Sequence, residues 1–121
     1  MKKLTILVLV LVTAFSLQIA LAQAPITTSK PTVESVIKSY AALYGVSSEK
    51  MMNTLKCESG LDPTKIGDNG TSYGIAQIHL VAHPDVTKEQ ALDRDFSIEW
   101  MAQKFKDGQA HIWTCYRLLY K

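Results

Sequence analysis

The sequence predicts a mostly helical α+β domain with one small β-hairpin insertion. Three observations predict it. Apolar residues recur at helical spacing before residue 60 and again after residue 87. Between these stretches the chain is dense in turn formers: Asp62-Pro63, Gly67, Asp68-Asn69-Gly70 and Gly74. And 121 residues, 47% hydrophobic and 20% charged, suffice for one small domain but not for two.

Residues 1–22 read as an address. Lys2 and Lys3 form a positive n-region, Ile6 to Val12 is an unbroken apolar run, and Ala20-Leu21-Ala22 supplies a small-x-small cleavage site. This is the layout of a secretory signal peptide. A cut after Ala24 would leave Pro25 directly behind it, so the expected cut follows Ala22. Thr5, Thr13, Ser16 and Gln18 weaken the competing reading, a membrane-spanning anchor. The product is expected to be exported to the periplasm, cell wall or exterior, with no stable membrane insertion after cleavage. Lys+Arg number 13 against 11 Asp+Glu, and taking Lys2 and Lys3 from the 13 leaves the charges balanced. A neutral remainder lacks the basic stripe of a nucleic-acid binder, so no nucleic acid is expected as partner. The chain is expected to be a monomer.

Residues 23–31, rich in Thr, Ser, Pro and Lys, read as a linker, and 32–121 as the folded domain. Thr32 can N-cap a helix to about Tyr44, with Val33, Val36, Ile37, Tyr40, Ala41 and Tyr44 on one apolar face and Gly45 as its stop. Ser47 caps a second helix, Glu49 lies in its first turn where the dipole favours an acid, and Gly60 ends it. Lys65-Ile66 and Ser72 to Ile78 can pair as a short hairpin. Leu80 to Val86 is irregular, with Pro84 inside it. Thr87-Lys88-Glu89-Gln90 is a capping box opening a short helix to Leu92. Asp95 is the expected cap of a longer helix bearing Phe96, Ile98, Met101, Ala102 and Phe105, stopped by Gly108; Ile112 to Leu119 is expected to be helical.

Glu58 is the most unusual charge. Its helical phase puts it with Met51 and Leu55, on the face that should be buried. A carboxyl held against apolar groups resists ionisation and can donate a proton near neutral pH; a frayed, hydrated helix end is the alternative. The two cysteines, Cys57 and Cys115, are expected to form a disulfide in an exported chain, rather than to remain separate buried thiols. His79 and His83 stand at i, i+4, a spacing that can bind zinc on a helix, but no glutamate of a metalloprotease motif lies between them and Pro84 disfavours helix there. No metal and no cofactor is expected.

Cys57-Glu58-Ser59-Gly60-Leu61-Asp62-Pro63, followed by Gly67-Asp68-Asn69-Gly70-Thr71-Ser72-Tyr73-Gly74-Ile75-Ala76-Gln77-Ile78, resembles the lysozyme-like superfamily. The likeness is greatest to the soluble-type bacterial lytic transglycosylases, and it covers about Val33 to Tyr116. It implies a lysozyme-like fold and a peptidoglycan substrate. Glu58 would be the single catalytic acid/base: it would protonate the glycosidic oxygen between N-acetylmuramic acid and N-acetylglucosamine, then take the proton of the sugar's C6 hydroxyl, leaving a 1,6-anhydro end. The resemblance places Ser72, Tyr73, Gly74 and Gln77 against the substrate. It offers Tyr116 as the counterpart of a tyrosine that touches the catalytic glutamate, although the surrounding Thr114-Cys115-Tyr116-Arg117 departs from the family's Ala-Tyr-Asn.

Animal-type lysozymes read Asp-Tyr-Gly where this chain reads Ser72-Tyr73-Gly74. A hydroxyl cannot replace that second carboxylate, so the departure favours transglycosylation over hydrolysis. Asp62 and Asp68 are the acids that could approach from the turns, although Asp before Pro and Asp-Asn-Gly are ordinary turn sequences. A hydrolytic lysozyme and a non-catalytic wall-binding module are the alternative functions. Trp113 reads as core rather than as a sugar platform.

Overall fold

The structure, a computed structural model, describes residues 28–121. The expected signal peptide and most of the expected linker lie outside the described residues. Pro31–Lys121 forms one compact unit, which holds every helix and strand described. It is mixed α+β and mostly helical, with a three-stranded antiparallel sheet. No helix among the described residues is long and apolar enough to cross a membrane.

Helix α1 spans Val33–Tyr44, and its N-cap Thr32 accepts a hydrogen bond from the Ser35 N–H. Its apolar face, centred on Val36, Ile37 and Ala41, packs chiefly against the later helix Arg94–Lys106. Helix α2 spans Ser48–Ser59 and is capped by Ser47, which accepts from the Lys50 N–H. It stops at Gly60, whose φ of 65° lies in the left-handed region that glycine enters without steric cost. Met51 and Leu55 are fully buried, which fixes the rotation of α2 and turns Glu58 to the rim of the core.

The sheet runs β1 Ile66–Gly67, β2 Ser72–Tyr73, β3 Ile78–His79, in that spatial order. Here the structure corrects the expected hairpin: residues 72–78 are two strands separated by a turn, because Gly74 (φ 78°) and Gln77 (φ 48°) both take left-handed backbone. Register pairs Ser72 with Gly67 on one side and with His79 on the other. The turn 74–77 is largely buried, so its carbonyls need partners. Gln77 donates its side-chain amide to the Gly74 carbonyl (2.8 Å), Ser59 its hydroxyl to Ile75 (2.7 Å), and Trp113 its indole N–H to Ala76 (2.8 Å). The end of α2, the sheet and the C-terminal segment are thereby fastened to one turn.

Thr87 and Gln90 form the expected capping box of α3, Lys88–Leu92. Helix α4, Arg94–Lys106, begins earlier than expected. Its N-cap is Asp93, which accepts from the Phe96 N–H at 2.7 Å, whereas Asp95 is engaged by Arg94. The cause is economy of chain: Asp93 closes α3 and opens α4 at once. The expected helix over residues 112–119 is likewise divided. A 3₁₀ turn, Ala110–Ile112, is followed by extended backbone at Trp113 and then by α5, Thr114–Leu119. Leu118 and Leu119 are exposed, so the apolar run does not mark a buried face. Trp113 is in the core, as expected, together with Ile37, Met51, Leu55, Ile75, Ile78, Ile98 and Met101.

Candidate active site

A cleft of about 480 Å³ opens between the end of α2, the sheet and the Trp113 segment. Its lining includes Glu58, Asp68, Ser72, Gln77, His79 and Trp113. That volume lies within the range of small-molecule sites.

Glu58 sits half-buried at the rim. One carboxylate oxygen accepts the Cys115 backbone N–H at 3.1 Å. Burial raises its pKa above the ordinary carboxylate value. The Cys115 N–H, Lys65 and Arg117 work against that rise, while the negative charge of Asp68 adds to it. The Lys65 ammonium donates to the Glu58 backbone carbonyl at 2.8 Å, leaving the carboxylate itself free to face the cleft. The frayed, hydrated alternative does not hold: the helix continues through Ser59 and is closed by Gly60.

The expected disulfide, Cys57–Cys115, is present, with Cα atoms 5.9 Å apart. It joins the residue before Glu58 to the residue whose N–H Glu58 accepts, and so fixes the carboxyl from both sides.

Of the expected substrate contacts, Ser72 and Gln77 line the cleft with Glu58; Tyr73, Gly74 and Tyr116 are not part of that lining. Tyr73 bonds its hydroxyl to the Gly70 carbonyl and lies under the Lys88 ammonium. Gly74 is buried against α3: a Cβ there would stand 1.7 Å from the Ala91 carbonyl oxygen. Packing against α3 therefore requires a glycine at this position. Tyr116 packs edge-to-face with Phe105 and at a tilt against Tyr120. Gln77 spends both amide hydrogens on backbone, at Lys65 and Gly74, and no hydrogen bond joins it to Glu58.

Two residues in the cleft carry more than the sequence reading gave them. Asp68 is more than a turn former: its carboxylate accepts the Ser72 hydroxyl, and Ser72 is 1% exposed. His79 stands opposite Ser72 in the strand register, with its Nδ1 3.2 Å from the same hydroxyl oxygen. Neither link follows from local sequence, because both depend on strand pairing. Asp62, by contrast, is a turn residue, accepting from the backbone and the hydroxyl of Thr64. Among the described residues no group of three or more His, Cys, Asp or Glu side chains is placed to hold a metal ion.

Comparison with protein-family models, with curated proteins and with solved structures gives no match.

Proposed function

We propose that this protein is an exported, lysozyme-like enzyme that cuts the glycan strands of peptidoglycan at the β-1,4 bond between N-acetylmuramic acid and N-acetylglucosamine. The observation that carries this reading is Glu58: a half-buried carboxyl, raised in pKa by desolvation and directed by one backbone N–H, on the rim of a cleft of ligand size. Such a group is protonated over a wider pH range than a free glutamate and can donate to a leaving oxygen. In this reading Glu58 protonates the glycosidic oxygen as the C1–O bond breaks, and the substrate's 2-acetamido group stabilises the cationic centre. Glu58, now ionised, accepts the C6 hydroxyl proton as that oxygen closes on C1. The product is a 1,6-anhydro end, with the acid regenerated. Substrate assistance of this kind is a known exception to the two-carboxylate rule.

A disulfide supports an oxidising, exported setting. A hydrolytic outcome is the second reading, favoured by one observation: Asp68 supplies the cleft with a second carboxylate. The test is incubation with purified peptidoglycan followed by mass spectrometry of the released fragments, for wild type and Glu58→Gln. Anhydro ends from wild type and none from the variant support the proposal. Binding to the wall without release of fragments from either protein would leave a wall-binding module instead.

A further inference from the structure

The cleft wall formed by Ile112, Trp113 and Thr114 is irregular backbone. A 3₁₀ turn ends at Ile112, Trp113 is extended, and α5 starts at Thr114 without a side-chain cap. Such a segment keeps one shape only if its polar groups find partners. Arg117 supplies them. Its guanidinium turns back over the wall: Nη1 donates to the His111 carbonyl at 2.5 Å and reaches that of Ile112 at 3.4 Å, while Nη2 donates to the Thr114 hydroxyl at 2.9 Å. Its backbone N–H donates to the Trp113 carbonyl at 3.2 Å. One residue thus holds His111, Ile112, Trp113 and Thr114. A guanidinium can fix several directions at once because its donors lie in one rigid plane, which an ammonium cannot do. Among the described residues Arg117 forms no ion pair with a carboxylate, so the fork is committed to this wall. The next residue along the chain is Cys115, whose N–H the Glu58 carboxylate accepts at 3.1 Å.

We infer that Arg117 is a positioning residue for the acid: its guanidinium clamps residues 111–114 and so holds the Cys115 N–H where it aims the Glu58 carboxyl into the cleft. The effect on rate rests on the glycan-cleaving reading above; the clamp itself is a property of the fold. Arg117 is not part of the cleft lining and acts through Thr114 and Cys115. The core anchors this wall at two other points, the Trp113 indole on the Ala76 carbonyl and the Cys57–Cys115 bridge. Those anchors hold side chains, whereas Arg117 holds the backbone path between them. The same guanidinium places positive charge near Glu58. The other charges acting on that carboxyl are Lys65, ahead of β1, and Asp68, in the turn between β1 and β2. Arg117 and Lys65 favour the ionised form, against burial and Asp68. Geometry and charge are therefore separable: loss of the fork should slow the reaction, and loss of the charge should raise the Glu58 pKa further.

The experiment compares wild type, Arg117→Lys and Arg117→Ala by three measurements: cleavage of soluble glycan strands as a function of pH, hydrogen exchange of backbone amides, and NMR titration of the Glu58 carboxyl. Arg117→Lys keeps the charge and loses the planar fork. It should lower kcat by about tenfold or more, since misplacing a reacting group by ~1 Å costs up to ~10²-fold. KM should change less, and the Glu58 titration should stay near that of wild type. Arg117→Ala should lower kcat at least as far. It should also move the Glu58 titration, and with it the alkaline limb of activity, to higher pH. In both variants exchange at the Cys115 amide should quicken while α1 and α4 keep wild-type protection. Wild-type kcat and Cys115 exchange in Arg117→Lys would overturn the inference and leave the role of Glu58 standing. Loss of protection throughout the domain would make Arg117 a residue of the fold and overturn it as well. If wild type cleaves no glycan strand, the glycan-cleaving reading fails by itself. Exchange and titration still decide the clamp, and values unmoved in Arg117→Ala would reject it.

Discussion

The Glu58 carboxylate accepts the backbone N–H of Cys115, and Cys115 is bridged to Cys57, the residue directly before Glu58. A covalent bond and a hydrogen bond therefore run in parallel between the end of α2 and the start of α5. The same pair of segments holds the acid in place and limits its contact with water.

Glu58→Gln is expected to lower glycan cleavage by ~10²–10⁴-fold, the usual worth of a general acid. The amide carbonyl can still accept from Cys115, so the fold should persist. Release of soluble fragments from peptidoglycan measures the loss, and circular dichroism checks the fold. Activity within about threefold of wild type removes Glu58 from the mechanism.

The raised pKa of Glu58 fixes the sign of two pH effects. The acid works only when protonated, so activity should fall as pH rises through its folded-state value. For stability, a carboxyl with a higher pKa folded than unfolded holds more protons in the native state. Its contribution is full below the unfolded value and is lost as pH rises through the folded one. The melting temperature of Glu58→Gln relative to wild type should therefore increase across that window. A difference that is flat with pH would show that Glu58 is not desolvated.

Reduction of the Cys57–Cys115 bridge should lower both melting temperature and activity. The bridge spans a sequence separation of 58, for which the chain-entropy model gives about 4 kcal/mol. Melts with and without a reductant, alongside cleavage assays, test this. Unchanged activity in the reduced, still folded protein would show that the bridge does not orient Glu58.

Gly74→Ala and Gly70→Ala should differ sharply. Both positions have positive φ, 78° and 87°, and so both incur backbone strain of about 1–3 kcal/mol. Only at 74 does the new Cβ meet the Ala91 carbonyl, while at 70 nothing lies within 4 Å. Gly74→Ala should thus be much the more destabilising in denaturant titration. Equal losses would mean that α3 gives way freely.

Ser72→Asp would introduce an aspartate at the position where the resemblance to animal-type lysozymes would have one. In this fold it would put a carboxylate at a site 1% exposed, beside Asp68. Two acids there repel, and the hydroxyl that donates to Asp68 is lost. The variant should melt lower than wild type, most strongly at neutral pH, rather than gain hydrolytic activity. A melting temperature equal to that of wild type at neutral pH would contradict this.

Much of the helical frame is written locally. Thr32, Ser47, Thr87 and Gln90 cap the backbone within three residues of themselves, and Gly45 and Gly60 close helices through their own φ, so these boundaries are legible from sequence. The phase of Glu58 with Met51 and Leu55 is legible for the same reason, since a helix fixes which residues share a face. With only two cysteines in the chain, their pairing followed from their number and from the expected export.

What the tertiary structure alone decided is which groups meet. The Glu58 partner lies 57 residues away, and that contact sets how far the carboxyl is desolvated. The third strand exists because two left-handed residues divide a segment whose composition reads as continuous, and the buried turn between them is held by Ser59, Trp113 and Gln77. Only that pairing brings His79 across from Ser72 and makes the Asp68 carboxylate a member of the cleft. Local sequence specifies caps and faces because those interactions span one turn of chain; the cleft is assembled from segments whose encounter depends on the packing of the whole core.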